Sequence, residues 1–228
     1  MSTILAIETS TKLASAALLH DGRCTALESS GVETHSVSIL PMVQRLLAAA
    51  GIQLAECDAI AFGAGPGSFT GVRTACGVAQ GLAFGAGLPV LPVVTLEAMA
   101  EAGRNAGAGD DLLTLLDARM GEVYWAQYRY RDGWQLVLAP TLSAPQQVAP
   151  LGPVAACGNG LSMFADEFAG RGWALVQPGI MPHARDIARL AQRALRQGHG
   201  LEPQQAQPLY LRNRVALTTV ERQAQGRA

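Results

Sequence analysis

Thr3-Ile4-Leu5-Ala6-Ile7-Glu8-Thr9-Ser10-Thr11 opens the chain with a short apolar run that ends abruptly in a carboxylate and three hydroxyls. Such a run, bounded by polar turn formers, reads as a buried strand. Working outward, strand-like runs follow at 15–19 and 24–27, joined by His20-Asp21-Gly22-Arg23, where Asp-Gly supplies the positive φ of a tight hairpin. An amphipathic helix is expected over about 38–50, closed by Gly51. With Ser38 as its N-cap, Pro41 falls in the first turn, where a missing N–H costs little; a start near His35 would demand a kink. Strand 59–62, a glycine-rich loop, helix 70–84, strand 90–94 and a helix opening at Thr95 complete the order βββαβαβα.

A stretch rich in Gly, Ala, Asn and Asp at 103–111 then reads as a linker, after which the order begins again. Strands are expected at 112–116, 122–130 and 135–138, the last two joined through Arg131-Asp132-Gly133. A short helix or loop near 145–148, strand 154–157, segment 161–168, strand 174–176 and helix 183–197 follow. A repeated βββαβαβα order is the layout of an α/β protein with two ribonuclease-H-like lobes facing a cleft, as in actin-like (ASKHA) folds. The expected domains are an N-terminal lobe 1–103, a linker 104–111, a degenerate C-terminal lobe 112–214 and a tail 215–228.

At 228 residues, 49 % hydrophobic and 15 % charged, the chain can bury a substantial core and leave apolar surface for a partner. A net charge of −1 argues against tight binding of nucleic acid by this chain alone, since such affinity rests on phosphate neutralisation. Lys12 is the only lysine, the other basic residues being arginines, and this carries no mechanism. Cys24, Cys57, Cys76 and Cys157 form no CxxC pair, so neither zinc nor a disulfide framework is indicated and a reducing cytoplasm is expected. No signal peptide is read at the N-terminus, and the apolar stretch 72–94 is broken by Arg73, Gln80, Pro89, Pro92 and glycines, so no membrane span is expected.

Two segments could carry chemistry. Glu8, Thr9 and Ser10, at the exit of the first strand, offer a carboxylate, hydroxyls and N–H groups to a metal-bound phosphate, or merely bond their own turn. In Gly63-Ala64-Gly65-Pro66-Gly67-Ser68-Phe69-Thr70-Gly71-Val72-Arg73, the glycines Gly65 and Gly67 with Ser68 and Thr70 precede a helix whose N-terminus favours an anion, Thr70 being the expected cap. The loop lacks the Gly-Lys-Ser/Thr ending of a Walker A motif and serves equally as a tightly packed turn. In the following helix Gly77, Gly81 and Gly85 recur at i, i+4, i+8 beside Ala75, Ala79 and Ala83; they face either the protein's own sheet or a docking chain. His35, Ile39, Leu40, Val43 and Leu47 on the preceding helix, with Arg73, Gly77, Gln80, Gly81 and Phe84, make up the expected partner surface. His20, His35, His183 and His199 are each isolated, so no metal site is expected. The turn Asp117-Ala118-Arg119-Met120-Gly121-Glu122 reads as a salt-bridged hairpin or a cleft contact.

Ile4-Leu5-Ala6-Ile7-Glu8-Thr9-Ser10, His35-Ser36 with Leu40-Pro41, the 65–73 segment, Leu96-Glu97-Ala98, Asp117-Ala118-Arg119-Met120-Gly121-Glu122-Val123-Tyr124 and Tyr210-Leu211-Arg212 together resemble the TsaB family of tRNA threonylcarbamoyladenosine biosynthesis proteins, relatives of the catalytic subunit TsaD. The likeness spans nearly the whole chain. It also implies what is missing. Where TsaD continues with Cys-Asp, this chain has Thr11-Lys12, and the positions of the TsaD metal-binding HxxxH are Thr95 and Met99. A hydroxyl and a thioether do not replace an imidazole pair.

The resemblance therefore implies a scaffold without catalytic residues or a cofactor of its own. It would form a heterodimer with TsaD, or a homodimer in isolation, help recruit the ATPase TsaE, and meet tRNA only through a complex that uses ATP and Mg. On this reading the phosphate-binding residues are vestigial, and whether Arg212, Arg214 and Arg222 touch tRNA stays open. The competing reading is an actin-like phosphotransferase or hydrolase, including a glycoprotease-like peptidase, using Glu8, Ser10 and the 65–70 loop.

Overall fold

The computed structural model describes residues 2–29 and 35–212. The expected duplication is present as two five-stranded mixed sheets of identical strand order. The first half contributes β1 (Ile4–Glu8), β2 (Ala14–His20), β3 (Arg23–Ser29), α1 (His35–Ala50), β4 (Ala59–Gly65), α2 (Phe69–Ala86), β5 (Val90–Val94) and α3 (Thr95–Asn105). The second contributes β6 (Asp111–Arg119), β7 (Glu122–Tyr130), β8 (Trp134–Ser143), β9 (Ala155–Cys157), the single-turn α4 (Gly160–Met163) and α5 (Ala165–Phe168), β10 (Leu175–Gln177) and α6 (Ala184–Arg196). The sheets run β3-β2-β1-β4-β5 and β8-β7-β6-β9-β10. In each, the first three strands form an antiparallel meander, and the fourth and fifth join the first in parallel.

Central strands buried on both faces need a layer on each side, and the helices that supply it are exchanged between the halves. One face of the first sheet (Leu5, Ile7, Ile60, Phe62) packs on α1 and α2 through Ile39, Val43, Leu46, Ala75, Ala79 and Ala83. The opposite face (Ile4, Ala6, Ala61, Leu91) is covered by Ala184, Ile187, Ala188 and Ala191 of α6, which belongs to the second half in sequence. Conversely, Leu96, Met99 and Ala100 of α3 cover Leu112, Leu116, Tyr124 and Ala126 of the second sheet. Its far face is closed by α4 and α5 through Leu161 and Phe168. The exchanged helices also meet each other, Asn105 donating to Asp186 at 3.3 Å and Arg193 lying 3.5 Å from Glu101. Each sheet thus depends on a helix from the other half for its apolar cover.

Several boundaries differ from expectation. α1 begins at His35, so Pro41 lies inside it rather than in its first turn. The proline is exposed, as is Val37 four residues earlier, so the carbonyl that loses its intrahelical donor stands next to solvent. The N-cap of α2 is Ser68, whose Oγ accepts from Gly71 N, and not Thr70. α3 runs to Asn105 and β6 starts at Asp111, which shortens the expected linker to residues 106–110. Glu33, Thr34, Arg214, Arg222 and the tail 215–228 lie outside the described residues.

Beyond α6 the chain returns across the molecule. Leu201 bridges Val90 at the edge of the first sheet, Gln80 of α2 donates to Pro203 O and Ala206 O at 3.1 and 3.0 Å, and Leu209 N donates to Ala64 O at 2.7 Å. Arg212 then reaches the β6–β7 hairpin.

Candidate functional site

The two sheets face each other across a cleft of about 910 Å³. Equivalent positions can be read from the registers: Ile7 opposes Phe62 just before Gly63, and Thr114 opposes Cys157 just before Gly158. Glu8 therefore corresponds to Leu115 and Ser10 to Asp117. In each half the strand exit is tied to the loop that follows the fourth strand. Ser68 N donates to Ser10 O at 2.7 Å, and Asp117 N donates to Asn159 Oδ1 at 2.9 Å. Gly63, Gly67 and Gly71 allow the first of these approaches. A Cβ at Gly63 would overlap the Glu8 carboxylate, one at Gly71 the Thr9 carbonyl, and one at Gly67 would stand 2.6 Å from Ser10 Cβ.

That tight contact decides what the turn can do. Glu8 is fully buried, accepts from Ser10 N, and leaves Oε2 without a partner among the described residues. Burial pushes its carboxyl up to about 7, against the opposing pull of its hydrogen bonds with Ser10. Thr9 is buried too, its hydroxyl donating to Gly71 O at 2.7 Å. Gly65 is held by its N–H to Thr95 Oγ1 at 3.0 Å, and Thr70 is exposed without lining the cleft. Of the residues expected to bind phosphate, only Ser10, Gly67 and Ser68 line the cleft. The carboxylate that would charge such a site is sealed behind Gly63. The residues present therefore do not fit a metal-bound phosphate at this turn.

Thr95 and Met99, the positions that the resemblance matches to the metal ligands of TsaD, are engaged within the fold. Thr95 is buried and its hydroxyl already accepts from Gly65 N, while Met99 is packed in the apolar layer over the second sheet. Among the described residues no three His, Cys, Asp or Glu side chains gather in a metal-binding cluster. The second half contributes Asp117, Arg119, Asn159 and Arg212 to the cleft, and the first half adds Thr11, Lys12 and His35. Asn159 was not anticipated. Gly158-Asn159-Gly160 after a strand repeats the placement of the 63–68 loop, and aligning the two halves element by element would have exposed it.

The glycine stripe of α2 does not pack on the protein's own sheet. Ala75, Ala79 and Ala83 face the sheet, whereas Gly77, Gly81 and Gly85 face outward, and apart from the helix's own backbone no atom of the described residues lies within 4 Å of where a Cβ would stand. Beside them Phe84 is 78 % and Val37 61 % exposed, and Leu40 is exposed as well. Ile39 and Val43, expected at the partner surface, are core residues, because an amphipathic helix must first cover its own sheet. Leu47 is half-buried against the same core. Gln80 is engaged by the returning segment, and His35 sits at the rim of the cleft with Nε2 3.2 Å from Lys12 O. Arg73 lies over the Phe69 ring, 3.7 Å from its centre, and donates to the Tyr210 hydroxyl at 2.7 Å.

A sequence profile of the family described as "TsaD: tRNA N6-adenosine threonylcarbamoyltransferase" matches residues 29–197. The tRNA threonylcarbamoyladenosine biosynthesis protein TsaB of Haemophilus influenzae is 38 % identical, with 93 % of this chain and 94 % of that protein aligned. The Escherichia coli protein of the same name is also 38 % identical, covering 93 % and 96 %. The crystal structure of YeaZ from Pseudomonas aeruginosa matches with a TM-score of 0.86 at 39 % identity, over 92 % of this chain and 100 % of that one. A second Pseudomonas aeruginosa structure, described as similar to the peptidase YeaZ, gives 0.88 and 39 %, over 93 % and 100 %.

Proposed function

Since the chain belongs to the TsaB family of tRNA threonylcarbamoyladenosine biosynthesis proteins, we propose that it serves that pathway as a non-catalytic subunit, stabilising TsaD and helping to recruit the ATPase TsaE. One observation carries the reading: the outward face of α2, with Gly77, Gly81 and Gly85 open to solvent beside the exposed Phe84. Interior glycine costs a helix roughly 1 kcal/mol relative to alanine, and nothing among the described residues uses the space these three create. A second helix can use it, because bare backbone lets two helix axes approach closely. Arg73, Leu40 and Val37 are further exposed residues on the same two helices. The same patch supports a homodimer when TsaD is absent, since related chains sharing a fold can exchange places on an isologous interface.

The site geometry supports the non-catalytic part. Glu8 is sealed, the positions of the metal ligands hold Thr95 and Met99, and no cofactor is required by the residues of this chain. ATP and Mg serve the assembled complex, and tRNA meets it through the partners, consistent with a net charge of −1. Among the described residues no helix is long and apolar enough to cross a membrane; the cytoplasm, where tRNA is modified, is the proposed location.

Reconstitution tests the reading. Purified chain alone should form no threonylcarbamoyladenosine, yet be required when added to TsaD, TsaE, ATP, tRNA and the threonylcarbamoyl donor. Modification at full rate without it would overturn the proposal. Turnover of Mg-ATP by the isolated chain would favour the phosphotransferase reading instead.

A further inference from the structure

The returning segment touches, in order, the edge of the first sheet, the flank of α2, the glycine-rich loop and the hairpin of the second sheet. Its last three described residues join features that are far apart in sequence. Tyr210 accepts from Arg73 Nε, and its ring lies 5.7 Å from that of Phe69, with the Arg73 guanidinium stacked over Phe69. Leu209, Tyr210, Leu211 and Arg212 all line the cleft. The Arg212 side chain, mostly buried, donates to Ala118 O at 3.0 Å and to Glu122 Oε2 at 2.7 Å, with Arg119 O at 3.4 Å.

The hairpin needs such a partner. Arg119 and Met120 both adopt left-handed backbone, with φ of 62° and 56°, and Gly121 follows at 75°. L-residues with side chains adopt this region only where the surroundings over-determine it. The turn aims two carbonyls at one guanidinium nitrogen, Nη2 of Arg212, whose two hydrogens they share with the Glu122 carboxylate. The Asp117–Glu122 turn and the Tyr210-Leu211-Arg212 run are therefore two parts of one contact, which Tyr210 ties to α2.

We propose that residues 201–212 are a latch: Arg212 holds the β6–β7 hairpin, Tyr210 grips Arg73 on α2, and the mouth of the cleft and the docking face of α2 therefore respond as one unit. A chain settling on α2 and displacing Arg73 would loosen the hairpin across the cleft; one that stacks on Phe69 and Arg73 would tighten it. The coupling is a property of this chain and does not depend on which protein docks.

Amide hydrogen exchange on the full-length chain tests it, read over residues 117–123. Arg212→Gln should speed exchange there by about tenfold or more, the loss of charge-assisted hydrogen bonds being local. Tyr210→Phe keeps the ring and removes the bond to Arg73, and Arg73→Ala removes stack and bond together. Each should speed exchange of the same hairpin by roughly threefold, although neither residue touches it, while β1 and β4 keep their protection. Wild-type exchange over 117–123 in both Tyr210→Phe and Arg73→Ala would overturn the latch, as would an unaltered hairpin in Arg212→Gln. Should Arg212→Gln lose protection throughout the sheets, the other two variants decide.

Discussion

The two halves share one strand order and differ in almost everything attached to it. In the first, the fourth strand leads through a glycine-rich loop into an 18-residue helix; in the second, a three-residue strand leads into two helices of four residues each. At equivalent strand exits the first half buries Glu8 where the second has Leu115, and both present a polar residue to the cleft, Ser10 and Asp117. The long helix is also where glycine faces outward. A duplicated scaffold has thus been specialised by halves: one carries a long helix with an open, glycine-lined outer face, the other a hairpin that lines the cleft. Neither is self-sufficient, since α3 and α6 cover each other's sheets.

The comparison can be broken most sharply at the glycines beneath the strand exits. Gly63→Ala and Gly158→Ala should each cost roughly 4 kcal/mol or more, because the added methyl would overlap Glu8 in one and the Leu115 carbonyl in the other. Chemical denaturation, or the loss of soluble protein, reads the effect. Tolerance at one site and failure at the other would mean that the two exits are not packed alike.

Glu8 tests the next difference. Its carboxyl holds a proton up to about pH 7 in the folded chain and loses it near 4.5 when unfolded. The unfolded state therefore releases the proton first, and stability should fall as pH rises from about 4.5 through 7, by on the order of 3 kcal/mol. Asp186, pushed up to about 6 by burial, adds to the same slope with the same sign. Denaturation of Glu8→Gln between pH 5 and 8 should show most of that slope removed, whereas a change at Leu115 should leave it intact.

The docking face should separate stability from association. Gly81→Leu fills the outward groove and should weaken dimer formation by about tenfold or more in sedimentation experiments, with little effect on folding. Gly77→Ala, the smallest change, should stabilise the isolated chain by up to ~1 kcal/mol through helix propensity alone. A Gly77→Ala chain less stable than wild type would show that the outward glycines serve the fold rather than a partner.

Much of this was legible from residue patterns. The apolar run 4–7 ending in Glu8, the Asp-Gly hairpin and the alternation of strands and helices led to the duplicated layout, and the small-residue spacing of α2 drew attention to that helix. Patterns of this kind report which residues share a face, because the periods of helix and strand are properties of the backbone. They left both readings of the glycine stripe open, because Gly77 and Ala79 are equally small and only their direction relative to the sheet tells packing from docking. They also placed Ile39 and Val43 at the surface, where the structure has them in the core.

The sequence by itself determined the succession of strands and helices along the chain, the loop that no Walker motif explains, and the absence of an imidazole pair at Thr95 and Met99, since each of these is a matter of residue type and spacing. Tertiary structure alone decided that Glu8 is sealed behind Gly63, that α3 and α6 trade sheets, and that Tyr210 and Arg212 span the cleft from α2 to the hairpin. Most of these depend on contacts between residues far apart in the chain, 55 positions for Gly63 and Glu8, 137 for Arg73 and Tyr210, and 169 for Ala184 and Ser15. Such contacts leave no local period, and the burial that raises the Glu8 carboxyl arises only when Gly63 of β4 is packed against it.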